Sequence, residues 1–216
     1  MERSERNAKL VTGFLVIFHF VGIIGLHLEE TRKLFQSLTP LNLLLTVGLL
    51  AWFHRSWTMK FGIFAFIIFW AGYLVEVVGV YTGAIFGSYT YGEAFGFRLA
   101  SVPPLIGLNW LMLVYLTGMV SQGLVNNIWA RATVGAILLV FLDFLIEPVA
   151  MTQDFWHWRD AQIPAQNYFA WFLIGWVMLY GFHSIHEEKS NAIALPVYLI
   201  QIMFFATFMV VRWGLS

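Results

Sequence analysis

Three carboxylic acids, Glu76, Asp143 and Glu147, lie inside long apolar stretches of this 216-residue chain, while the other nine acidic residues lie in polar segments or near the ends. No lysine or arginine falls deep in any of those stretches, so ion pairing does not account for the three acids. A charged aspartate near the centre of a membrane helix costs about 2.5–3.5 kcal/mol. Each carboxyl is therefore expected to be protonated, hydrogen-bonded or turned towards a wet cavity. A protonated carboxyl held beside an apolar pocket is a general acid. Such an acid can protonate a carbon–carbon double bond, and a trisubstituted isoprenoid end then becomes a tertiary carbocation. Aromatic faces stabilise that cation by about 2 kcal/mol or more once water is excluded. Water adds to give a tertiary alcohol, or a second double bond of the same chain attacks to close a ring. The residues leave both outcomes open.

Spacing indicates how these groups are brought together. Gly72, Glu76, Gly79 and Gly83 share one helical face, and Gly79-x-x-x-Gly83-x-x-x-Gly87 reads as a small-residue ladder that lets helices approach closely. Glu76 should therefore face the bundle. Asp143 and Glu147, four apart, share a face of a later helix, and Pro148 predicts that this helix ends or kinks at Glu147. The helices bearing the three acids end on the side of the membrane where two others begin, and those carry Asn109, Trp110, Asn167 and Trp171 near their starts. Loops 86–102 and 151–165 bring Tyr89, Tyr91, Trp156 and Trp158 to the same side. The expectation is one aromatic-walled polar pocket. Glu76, Asp143 and Glu147 would be its catalytic groups, with Asp143 or Glu147 as the acid, because the negative end of a helix dipole opposes further negative charge. Glu76 would orient and deprotonate water. Asn109 and Asn167 would hold that water, and Tyr89, Tyr91, Trp110, Trp156, Trp158 and Trp171 would wall the substrate. Interfacial tryptophan and tyrosine are ordinary in membrane proteins, so the convergence of three unpaired acids carries the argument.

The positioning elements follow from composition. The chain is 60% hydrophobic and only 11% charged, against about 25% charged in soluble domains. Crossing a bilayer as a helix takes about 20 apolar residues, and seven stretches approach that length: 10–28, 39–55, 62–85, 103–124, 129–148, 166–183 and 192–213. The fold class is all-α: a polytopic membrane protein of about seven helices in one bundle, a single domain over 1–216, expected in the cell (inner) membrane. The first stretch reads as an uncleaved span because no small-residue cleavage site follows it. With the N-terminus inside, seven basic residues lie inside and five outside, a slight bias for that orientation. The glycines could pack helices of one subunit or of two, so a homo-oligomer stays open.

Several functions are excluded. Zero net charge on a membrane chain gives no footing for nucleic acid, and without cysteine there is no thiolate chemistry. Membrane di-iron enzymes need about eight histidines at metal-ligand spacing, whereas this chain has six in all. His183-x-x-His186 is the one pair with such spacing, and it lies on the side opposite the acids. His19 reads as a helix–helix hydrogen bond. Lys9, Lys33, Lys60 and Lys189 all lie outside the spans, which excludes a retinal Schiff base. No Asp-rich magnesium motif or supported nucleotide-binding glycine pattern is present. No metal and no cofactor is expected.

The stretch EVVGVYTGAIFGSYTY at Glu76–Tyr91, VPP at Val102–Pro104 and Asn109-Trp110 resemble the bacterial and archaeal carotenoid biosynthesis membrane proteins. DFLIEPVA at Asp143–Ala150, FWHW at Phe155–Trp158 and PAQNYFAW at Pro164–Trp171 continue the resemblance in matching order, over about 70–175. FWHW departs from the tyrosine-first form of some relatives, which bears on end group and chain length more than on reaction type. The resemblance implies a cofactor-independent carotenoid 1,2-hydratase of the bisanhydrobacterioruberin hydratase type, a hydro-lyase. Its partners would be water, the bilayer and an acyclic carotenoid end such as that of gamma-carotene or lycopene. The alternatives are a lycopene-cyclase-like enzyme, a carotenoid- or lipid-binding scaffold and a proton-coupled carrier.

Overall fold

Among the described residues eight helices form, most of them where charge is sparse and caps allow them to start and stop. The computed structural model describes residues 2–185 and 189–214. The helices are α1 (Glu2–His27), α2 (Glu29–Ser37), α3 (Thr39–Phe53), α4 (Met59–Thr82), α5 (Leu105–Leu124), α6 (Ile128–Thr152), α7 (Ala165–Ser184) and α8 (Ala194–Gly214). Pro40 sits in the first turn of α3, where its missing N–H costs nothing. The Thr58 hydroxyl accepts the Phe61 N–H at 3.2 Å to open α4. The Asn127 side chain accepts the Trp129 and Ala130 N–H groups to open α6.

Five helices are long and apolar enough to cross a membrane: those over 5–27, 59–82, 105–124, 128–152 and 194–211. α2 and α3, bent by 50° at their junction, make a sixth if taken as one broken span. The protein is thus an all-α, multi-pass membrane protein, but the expected count of seven is not reached. α7 forms as a 20-residue helix against α6, yet its Gln166, Asn167, tryptophans and tyrosines dilute its hydropathy. α2 is not anticipated by the apolar pattern, being short and polar.

α5 occupies the centre. It packs on α4, α6, α7 and α8, and its core face is the most buried of the spans. Glycines let neighbours come close: a Cβ on Gly107 would lie 2.5 Å from the Phe69 carbonyl oxygen of α4, and one on Gly72 would lie 2.5 Å from Trp110 Cβ. α1 and α4 turn Phe14, Ile17, Phe66 and Ile67 outward, the face a bilayer would cover.

Two expectations need correction. The glycine ladder does not continue as a helical stripe, because α4 stops at Thr82. Gly83 takes the left-handed conformation (φ 64°) and donates its N–H to the Gly79 carbonyl at 2.8 Å, ending the helix. Gly87 (φ 110°) lies in the following loop. Nor does α6 end at Glu147; it runs through Pro148 to Thr152. The lost N–H is offset by burial of Val149 and Ala150 and by the Thr152 hydroxyl and Gln153 N–H, which close on the Val149 carbonyl at 2.8 and 2.9 Å.

Two short antiparallel ladders tie loops at opposite ends of the bundle. β1 (His54–Arg55) pairs with β4 (Ser190–Asn191), and β2 (Tyr89–Tyr91) pairs with β3 (Trp156–Trp158). In the second, Tyr89 faces Trp158 and Tyr91 faces Trp156. Alternation along each strand sends these four aromatics to one side, and Thr90 and His157 to the other.

Candidate active site

Glu76 is carried on the buried face of α4, about one turn from Gly72 on one side and from Gly79 on the other, and is only 3% exposed. Its Oε2 accepts from the Tyr89 hydroxyl and, at 2.6 Å, from the Tyr91 hydroxyl. Its Oε1 accepts from Trp110 Nε1 at 2.9 Å. Trp110 in turn stacks on Trp171 of α7, ring centroids 3.9 Å apart. The Tyr89 and Tyr91 phenols are pushed well above their ordinary pKa, first by burial and then by the charge Glu76 carries when ionised. Both keep their protons and act as donors.

Glu147 on α6 is held by the other strand of the same ladder. Its Oε2 accepts from Trp156 Nε1 at 2.9 Å and Trp158 Nε1 at 2.7 Å. Its Oε1 accepts from Asn167 Nδ2 at 3.0 Å. The same Asn167 nitrogen reaches Asp143 Oδ2 at 3.1 Å, so one amide of α7 joins the two acids of α6.

Glu76 and Glu147 both line a cavity of about 20 Å³, together with Tyr89, Tyr91, Trp156, Trp158, Asn109, Asn167 and Trp171. That volume holds about one water. Asp143 and Trp110 stand behind this wall, bonded to it through Asn167 and Glu76. The structure thus gathers all eleven candidate residues. An apolar pocket of about 170 Å³ lies alongside, and Asn109 and Trp156 line both spaces. Asn109 is half-buried and its side chain makes no hydrogen bond to another described residue, which leaves its amide for a ligand at the boundary.

The apolar pocket draws on α1, α2, α3, α5, α6 and α8, and sequence spacing did not reveal it. Its polar corner is His19, whose Nε2 lies 3.3 Å from Gln201 Nε2 across α1 and α8, the helix–helix bond expected of that histidine. On the other side of the bundle, His183 Nε2 meets the Ser121 hydroxyl at 3.1 Å. Its expected partner His186 lies outside the described residues.

The loops are clamped by Asp154. Its carboxylate accepts the Glu93 N–H at 2.9 Å and bonds His157 Nε2 at 2.8 Å. Partial burial raises its pKa, but the His157 and Glu93 hydrogen bonds and the nearby charges of His157 and Arg98 outweigh that and hold it below the ordinary value. A carboxyl depressed in the folded state contributes stability above its unfolded pKa of about 3.9, lost as pH falls through the folded value. The melting temperature of the wild type is therefore expected to fall more below about pH 4 than that of Asp154→Asn. Because the Asp154 side chain is 42% exposed, the difference should be small; equal pH profiles would dismiss the clamp.

In this multi-pass helical membrane protein, two buried carboxyls thus line a water-sized cavity that shares Asn109 and Trp156 with an apolar pocket. Residues 38–216 match the carotenoid biosynthesis protein family, and the chain belongs to that family. A relative, the bisanhydrobacterioruberin hydratase of Haloarcula japonica, is 31% identical over 115 residues. That match covers 48% of this chain and 38% of the relative's length, so the chain spans well under half of that protein. No solved structure matches the chain.

Proposed function

We propose that this protein is a carotenoid hydratase that adds water to the terminal double bond of an acyclic carotenoid end without a cofactor. The observation carrying this is the contact of the two cavities: a one-water space walled by Glu76 and Glu147 meets an apolar pocket at Asn109 and Trp156. The hydratase name of the Haloarcula relative supports the same reaction.

Hydrogen-bond inventory favours the opposite choice of acid and base from helix-end electrostatics. The partners of Glu147 are two indole N–H groups and one amide, which donate and suit a carboxylate. The partners of Glu76 Oε2 are hydroxyls, which accept as readily as they donate. Glu76 can therefore carry a proton and keep its bonds. In this scheme the Glu76 proton passes to the less substituted alkene carbon, leaving the cation on the tertiary carbon. Water held by Asn109 adds there, and Glu147 takes the proton it releases. Return of that proton to Glu76 through the next water resets the site. The sum is alkene plus water giving tertiary alcohol. Asp143, whose side chain bonds Asn167 alone among the described residues, is a positioning residue that fixes the amide against Glu147.

Expression in a carotenoid-free bacterial host accumulating lycopene or gamma-carotene tests the reading. The expected result is a more polar pigment heavier by one water. An isomer of unchanged mass would mean cyclisation, and would overturn the hydratase.

A further inference from the structure

α5 runs past three cavities. Ile106 and Asn109 line the water-sized space, Asn109 and Met112 line the apolar pocket, and Met112 and Tyr115 line a third cavity of about 60 Å³ between α3, α4 and α5. Each cavity shares a residue of α5 with the next, so the three adjoin, and because three-residue steps fall short of the 3.6-residue turn the path winds around α5 from Ile106 to Tyr115. The facing side of α3 runs past two of them: Thr39, Asn42, Leu43 and Thr46 border the apolar pocket, and Val47, Leu50 and His54 border the third cavity. From Thr39 to His54 the rise is about 22 Å, most of the thickness of a bilayer's hydrocarbon core. The third cavity is also lined by Trp57, which is 58% exposed. Met112, 6% exposed, is the side chain common to the second and third spaces.

We infer that the furrow between α3 and α5 is the seat of a long acyclic isoprenoid chain. Its reacting end lies at Asn109 and Trp156, and the rest of the chain runs past Met112 to Trp57. This rests on the hydratase reading and extends it to the substrate class: the site accepts a chain lengthwise across the membrane, and Met112 gauges how much chain beyond the reacting end is admitted. A methionine suits that position because its unbranched thioether can swing to join the two spaces or divide them. A bulky rigid ring there would close the passage.

The test uses full-length protein in lipid nanodiscs with two acyclic hydrocarbons of the same terminal group, a C15 chain and lycopene. For Met112→Trp, the ratio of kcat/KM for lycopene over the short chain is expected to fall by about tenfold or more, and Met112→Ala should not lower it. An unchanged ratio in a Met112→Trp protein that melts as the wild type does would overturn the furrow. Binding gives a second readout. The polyene should quench tryptophan emission, and the part due to Trp57, read as the difference from Trp57→Phe, should vanish in Met112→Trp. If the wild type hydrates neither hydrocarbon yet shows this quenching, the hydratase reading fails and the furrow stands. If it hydrates both and Trp57 is never quenched, the furrow fails and the hydratase stands.

Discussion

Glu76→Gln is expected to lower the hydration rate by about 10²–10⁴-fold, the range for removing a general acid. The amide can still bond Tyr89, Tyr91 and Trp110, the three groups that hold Glu76, but it has no proton to give. Glu147→Gln should cost a similar factor for a different reason, since an amide cannot take a proton from water. The two variants separate in deuterium oxide. Glu147→Gln should still protonate the alkene and take the proton back, so deuterium should enter the substrate's terminal group without alcohol forming. Glu76→Gln should give neither exchange nor product. Exchange in Glu76→Gln and none in Glu147→Gln would reverse the two roles, and full activity in both would end the scheme. A melting temperature for each variant guards against a fold defect, because both carboxyls are buried.

Gly107→Ala is expected to force two packed helices apart with a single methyl. The new Cβ would lie 2.5 Å from the Phe69 carbonyl oxygen and 3.1 Å from Tyr73 Cβ. Neither atom can be relieved by a rotamer change, so α4 and α5 must part. Overpacking of this kind costs about 1–3 kcal/mol. The damage reaches the site, because Trp110 lies one turn beyond Gly107 and bonds Glu76 on the opposing helix at 2.9 Å. A lower melting temperature in nanodiscs should accompany a loss of activity. Gly13→Ala and Gly48→Ala, where a Cβ meets nothing within 4 Å, are the controls. A Gly107→Ala protein that melts like them would refute the close approach.

Much of this arrangement can be read from the sequence because membrane helices are defined by what they lack. Charge-free runs mark the spans to within a few residues, and an acid inside such a run points to a site. Glu76, Asp143 and Glu147 stand out for that reason, and helix direction alone brings Asn109 and Asn167 to them. Local rules mislead where packing overrides them. Pro148 predicts a helix end or a kink, and the end does not come, because burial of Val149 and Ala150 carries α6 another turn. Gly83 keeps the four-residue spacing of a packing ladder while its backbone serves as a helix stop. The β2–β3 pairing escapes notice because three-residue strands leave little trace, although the alternations Tyr89-Thr90-Tyr91 and Trp156-His157-Trp158 are its signal. The apolar pocket draws on six helices, and no single stretch of sequence announces it.

That pairing also makes the two loops one inheritable part. The hydroxyls that hold Glu76 and the indoles that hold Glu147 sit opposite each other on adjoining strands. The spacing between Glu76 and Glu147 is therefore set by the width of a two-stranded ladder, and neither loop can be retuned alone. Chimeras between family members should behave accordingly. Exchanging either 86–102 or 151–165 by itself should break the register and silence the protein. Exchanging both together should transplant a working site.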